Sequence, residues 1–214
     1  MTSLFEKLQA QATDRHKAFL ERLIPTVPSD TIVGVPMPKL RKLARELDPV
    51  FLQDLPHDTY EENILHALLI NRLEGETALG AIRAFLPYLD NWAVVDAIDP
   101  KAFYKGDYLD AFVDFIGDER PFAARLGIVL SIRHIQEDPE RLLKAVQSAQ
   151  SGSYYVDMAM AWFFAEAVLY VPEEVLSLLH GEALPPSVRR KTVRKIKESY
   201  RVPDAVKARA AGRN

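Results

Sequence analysis

Apolar residues along this chain return every three or four positions, with polar residues filling the gaps. Phe5, Leu8, Ala12, Phe19 and Leu23 share one stripe near the N-terminus. PKLRKLAREL, YEENILHALLINRL, ETALGAIRAFLPYL, RPFAARLGIVLSIRHI, PERLLKAVQSA, YYVDMAMAWFFAEAVLY and PEEVLSLL repeat the pattern, which is the spacing of amphipathic helices. Start signals agree. Pro38, Pro121, Pro139, Pro172 and Pro186 stand where a helix would open, and Thr59 with Glu62 forms a capping-box sequence. No window alternates like a strand, and no Asn-Gly or Asp-Gly turn occurs. The pattern predicts an all-α chain of about ten to thirteen helices. Their short, Pro- or Gly-bearing connections suit helical hairpins stacked into a curved α-α superhelix (an α-solenoid) of degenerate HEAT-like repeats. The break at 24–30, IPTVPSD, separates one N-terminal helix (1–24) from the body but is too short for a domain linker. One domain, 1–214, is expected, closing in a basic tail (203–214) whose order the pattern leaves open.

Charge changes this picture at one end. The chain of 214 residues carries a net charge of −3. Residues 187–214 nevertheless hold ten Lys and Arg, including Arg189, Arg190, Lys191 and Arg194, against Glu198 and Asp204. An acidic body with a basic end points to an anionic partner such as nucleic acid, or to a solvated C-terminal helix. The absence of cysteine excludes disulfides, thiol nucleophiles, thiolate zinc sites and iron–sulfur clusters. It also excludes alkyl transfer to the protein's own thiol. No apolar run approaches the roughly 18 residues of a membrane span, and the N-terminus lacks a signal-peptide core. A cytoplasmic monomer without membrane attachment is expected.

Metal and nucleotide chemistry find little support. The five histidines are scattered, none has Asp two residues on, and Glu62 with His66 lacks a second histidine. Structural roles are expected for all five, with no metal site and no cofactor. Neither a Gly-x-Gly-x-x-Gly nor a Gly-Lys-Ser/Thr motif is present. Three local features remain. Trp92 and Asp96 in LDNWAVVDAID would stack one helical turn apart; Arg125 interrupts an apolar helix; and Tyr155, Met158 and Trp162 share a helix face. Each alone reads as packing, because aromatics anchor helices and Arg stems lie along apolar surface. Together they hold what a cationic, flat base needs. Indole faces attract cations, a carboxylate stabilises charge developing on a sugar, and an Arg can grip a phosphate with two N–H groups.

The ordered fragments GVPMPKLRKLAREL (34–47), YEENILHALLI (60–70), FLPYLDNWAVVDAI (85–98), ARLGIVL (124–130), YYVDMAMAWFFAEA (154–167) and RKTVRKIKESYRV (190–202) resemble the AlkD-like family of HEAT-repeat DNA alkylation-repair proteins. The resemblance implies a monofunctional DNA glycosylase that removes cationic N3- and N7-alkylated purines from double-stranded DNA. It implies Asp96 as the catalytic carboxylate, Trp92 and Trp162 beside the sugar, and Arg125 on phosphate. Tyr155, Arg189, Arg190, Lys191 and Arg194 would complete the DNA-binding set. Most glycosylases flip the target base, whereas active members of this family are thought to work on the backbone and sugar; both routes stay open here. The resemblance further implies two helices ahead of Gly34-x-x-x-Pro38, the second aromatic, basic and DNA-holding. Pro25 and Pro28 interrupt that stretch, which points to a shorter subfamily lacking this element. The alternative is a non-catalytic HEAT-repeat module that binds nucleic acid or a protein.

Overall fold

The computed structural model describes residues 3–150 and 152–212, and every regular element among them is helical. They fall into two compact units, 1–106 and 107–214. The first contains α1 (Leu4–Gln9), α2 (Asp14–Leu23), α3 (Met37–Glu46), α4 (Tyr60–Ile70), α5 (Gly75–Phe85) and α6 (Trp92–Val95). The second contains α7 (Leu109–Ile116), α8 (Pro121–Ser131), α9 (Pro139–Ser148), α10 (Tyr154–Ala167), α11 (Pro172–His180), α12 (Pro186–Glu198) and α13 (Asp204–Ala210). No described helix is long and apolar enough to cross a membrane.

Proline opens these helices as the pattern predicts. Pro121, Pro139, Pro172 and Pro186 are first residues, and Pro38 is the second of α3. Each stands where a missing N–H leaves no hydrogen bond unmade. Thr59 and Glu62 close a reciprocal capping box on α4, with the Glu62 N–H on Thr59 Oγ1 at 3.2 Å and the Thr59 N–H on Glu62 Oε2 at 2.9 Å.

The stretch expected to hold one helix, 1–24, holds two among its described residues. Thr13 is extended (φ −142°, ψ 140°), its hydroxyl accepts the His16 N–H, and its own N–H goes to the Gly34 carbonyl at 3.1 Å. That cap stops α1 from running into α2. Two α-helices and a 3₁₀ turn (Ser29–Thr31) therefore precede Gly34, and Pro25 and Pro28 follow the second helix rather than interrupting it. At the far end, the basic tail is helical over Asp204–Ala210, with Ala210 buried and Arg209 paired to Glu173 at 2.6 Å; Arg213 and Asn214 lie outside the described residues.

Within the first unit α4 is central, packing on α3, α5 and α6. Its Glu61 is fully buried, and its carboxylate accepts the N–H groups of Val33, Gly34 and Val35 at 2.9, 2.7 and 3.1 Å. Three charge-assisted bonds compensate for burying the carboxylate and lock the 33–35 segment against α4. Gly34 is required there. Its φ is +102°, and a Cβ would stand 2.8 Å from Lys17 Cβ. His66, also buried on α4, has Nδ1 2.8 Å from His57 Nε2, and the two rings stack on Phe85 and Phe51. These two histidines are structural.

In the second unit α10 packs on both α8 and α12. Its Asp157 is 5% exposed and accepts Ser187 Oγ–H at 2.7 Å and Lys191 Nζ–H at 3.1 Å from α12. Gly127 lets α8 close on α7, since a Cβ would meet Phe112 O and Ile116 N at 2.6 Å.

Candidate active site

The Trp92–Asp96 pair rests on a single helical turn. Asn91, fully buried, caps it by accepting the Val94 N–H at 3.0 Å. Asp96 ends it, in right-handed helical conformation with its N–H on the Trp92 carbonyl at 2.9 Å. So the i, i+4 relation read from the sequence holds, although α6 is only four residues long. Downstream, the Asn71 side chain grips the chain twice. Its Nδ2 donates to the Ala97 carbonyl and its Oδ1 accepts the Asp99 N–H, both at 2.7 Å. The backbone on either side of Asp96 is thus held by side-chain hydrogen bonds.

Trp92 reaches across to α2. Its indole Nε1–H donates to the Leu23 carbonyl at 3.2 Å, satisfying one of the carbonyls a helix end leaves without an internal partner. The consequence is a cleft of about 550 Å³ within the first unit, lined by Trp92 and Asp96 together with His16, Phe19, Leu23, Arg41, Tyr60, Asp99 and Lys101. Phe19 and Leu23, whose stripe suggested core, remain 46% and 38% exposed. His16 and Phe19 stack with ring centres 5.7 Å apart. Tyr60 is buried, and that burial, reinforced by Glu61 and Asp90, pushes its phenol well above the ordinary value. It therefore remains an O–H group throughout the working pH range. The cleft combines aromatic faces and carboxylates with cations at Arg41 and Lys101, a set suited to a nucleotide's base, sugar and phosphate.

In the second unit, Arg125 on α8 is 7% exposed and donates from Nη1 to the Tyr155 carbonyl on α10 at 2.9 Å. Tyr155 packs on Phe122 (centroids 5.2 Å apart) and edge-on to Tyr154 (5.5 Å). Trp162 lies two turns along α10 from Tyr155, half-buried. Within the first unit the structure thus brings Trp92 and Asp96 together, and within the second Arg125 and Tyr155.

Of the six basic residues of α12, the four expected to bind DNA divide. Lys191 is engaged by Asp157 and sits 5.5 Å from the Tyr154 ring centre, and Arg189 donates to the Gly181 carbonyl. Arg190 is exposed, and the Arg194 side chain, 81% exposed, pairs with Glu198 one turn on. Of these four, the latter two present their charge to solvent.

His16, Phe19, Arg41, Tyr60 and Lys101 escaped sequence reasoning. An exposed Phe three residues from a His on a short polar helix is a faint signal, and their meeting with Trp92 depends on contacts across nearly seventy residues. Among the described residues, no three His, Asp or Glu side chains gather as metal ligands.

A family model described as DNA alkylation repair enzyme matches residues 4–196. Among curated proteins no match to the chain is found. The matched region takes in both helices ahead of Gly34 and every residue singled out above, from His16 to Arg194. With a match over most of its length, this chain belongs to the DNA alkylation repair enzyme family.

Proposed function

We propose that the protein is a monofunctional DNA glycosylase that hydrolyses the N-glycosidic bond of cationic N3- and N7-alkylated purines in duplex DNA. The observation that carries this reading is the cleft in which a carboxylate, Asp96, stands one turn from an indole, Trp92, both held by backbone hydrogen bonds. The alkylated purine already bears positive charge, so the C1′–N bond breaks with its electron pair leaving on the base, and no acid is needed. Positive charge then develops on the sugar ring, and the Asp96 carboxylate stabilises it. The same carboxylate orients a water toward C1′, and the proton shed as the new C–O bond forms passes to Asp96 and then to solvent. Trp92 supplies an aromatic face to the sugar. Arg125, with Tyr155 holding its guanidinium, takes a phosphate.

Duplex DNA methylated on its purines tests this directly. Wild-type protein is expected to release 3- or 7-methylpurines, identified by mass, and Asp96→Asn should slow release at least about 10²-fold. Release unaffected by that substitution would remove Asp96 from the mechanism. No release by the wild type would leave the helical surface as a binding module.

A further inference from the structure

Asn71 and Lys101 line the Trp92–Asp96 cleft and also a second one, of about 860 Å³, whose walls include Arg72, Glu74, Tyr104 and Lys105. Three cations face one carboxylate there, in a chain whose net charge is −3. The second cleft has a firm floor. Arg72 is anchored by Nη1 on the Ala44 carbonyl at 2.7 Å, and the Tyr104 hydroxyl donates to Asp99 Oδ2 at 2.7 Å, which pins its ring while leaving the residue 44% exposed. Lys101–Tyr104 forms a 3₁₀ turn, in which residues three apart eclipse, so Lys101 stands over Tyr104 and Lys105 follows at the end. Asn71 holds the segment leading into this turn. Lys101 and Lys105 are both exposed, and among the described residues neither has a carboxylate partner.

We propose that this second cleft binds a backbone phosphate of the DNA strand whose target nucleotide occupies the Trp92–Asp96 cleft, with Lys101 and Lys105 as its cations. The proposal rests on the glycosylase reading for the identity of the strand. Cleavage at one C1′ requires that sugar to be held to within a fraction of an ångström, and a hold on a flanking phosphate sets register without reading sequence. Lys suits the task, being a compact charge on a flexible stem that accepts a phosphate from many directions. Lys101, common to both clefts, carries the backbone from one to the other.

Fluorescence polarisation of an undamaged duplex, titrated with full-length protein over a series of salt concentrations, tests the site. Each phosphate contact contributes about −0.9 to the slope of log K against log salt. The Lys101→Gln/Lys105→Gln double variant, which loses this one contact, is expected to reduce that slope by about 0.9 and Lys105→Gln alone by a smaller amount, while Lys105→Arg keeps it. A Lys105→Gln protein that binds with the wild-type slope overturns the proposal, as does a wild type whose duplex binding ignores salt. Base release measured on the same preparations separates this site from the activity. An unchanged slope alongside wild-type release sinks the phosphate site alone, and a reduced slope in the variant with no release even by the wild type supports the phosphate site and sinks the glycosylase reading.

Discussion

His66 and His57 share one hydrogen bond in a cage of Phe51 and Phe85, and that bond requires a bare nitrogen on at least one ring. Burial, with His57 adding its charge, drives the His66 pKa down to about 3; burial also lowers His57, against the opposing pull of Glu62, Asp54 and Asp58. The unfolded chain, with His near 6.5, binds more protons than the native one between these values. His66 therefore contributes its full stability above about pH 6.5 and loses it as pH falls toward 3. Urea melts should show about 2 kcal/mol lost on this account between pH 7 and 5. His66→Phe should flatten that slope, and an unflattened slope would contradict the assignment. Asp118 and Glu173, held low by hydrogen bonds from Arg120 and Arg209, respond only further into acid. Such pairings are poorly legible in sequence. Trp92 and Asp96 stand out because one turn contains their whole relation, whereas Asn71 reads as one more polar position of a helical pattern until its partners, 26 and 28 residues away, fold onto it.

Helix α12 shows why charge counts mislead when the facing helix is unknown. Its sequence offers a basic block, yet one of its cations neutralises the buried Asp157 of α10 and another ties down the Gly181 carbonyl. Lys191→Gln is expected to lower stability by about 2 kcal/mol, because Asp157 would keep its burial and lose its counter-charge. Arg190→Gln with Arg194→Gln should leave the melting temperature in place and weaken salt-dependent duplex binding. Thermal melts beside polarisation titrations separate the two outcomes, and a Lys191→Gln protein as stable as wild type would contradict the assignment. Other elements were plain in advance. Five prolines mark five helix starts, because each combines a fixed φ with a dispensable N–H. The boundary between α1 and α2 was hidden, since Ala12 and Phe19 are seven residues apart and the apolar stripe stays in phase across the Thr13 cap.

Over the whole molecule, the family match from residue 4 to 196 spans both compact units, with Asp96 belonging to the first and Arg125 to the second. The fold class was readable because helical periodicity is local. The membership of the Trp92–Asp96 cleft was not, because α2, α3, α4 and α6 all contribute to it from separate stretches of chain. The hydrogen bond from Trp92 to the end of α2 has an optical meaning. The sequence contains only two tryptophans, one in each unit, so Trp162→Phe leaves a single indole whose emission comes from the wall of the cleft. Stacked bases should quench that light as duplex is added, and they should do so in Asp96→Asn protein as well, where occupancy can be followed without turnover. Emission that stays constant while polarisation reports binding would mean the duplex lies elsewhere on the molecule.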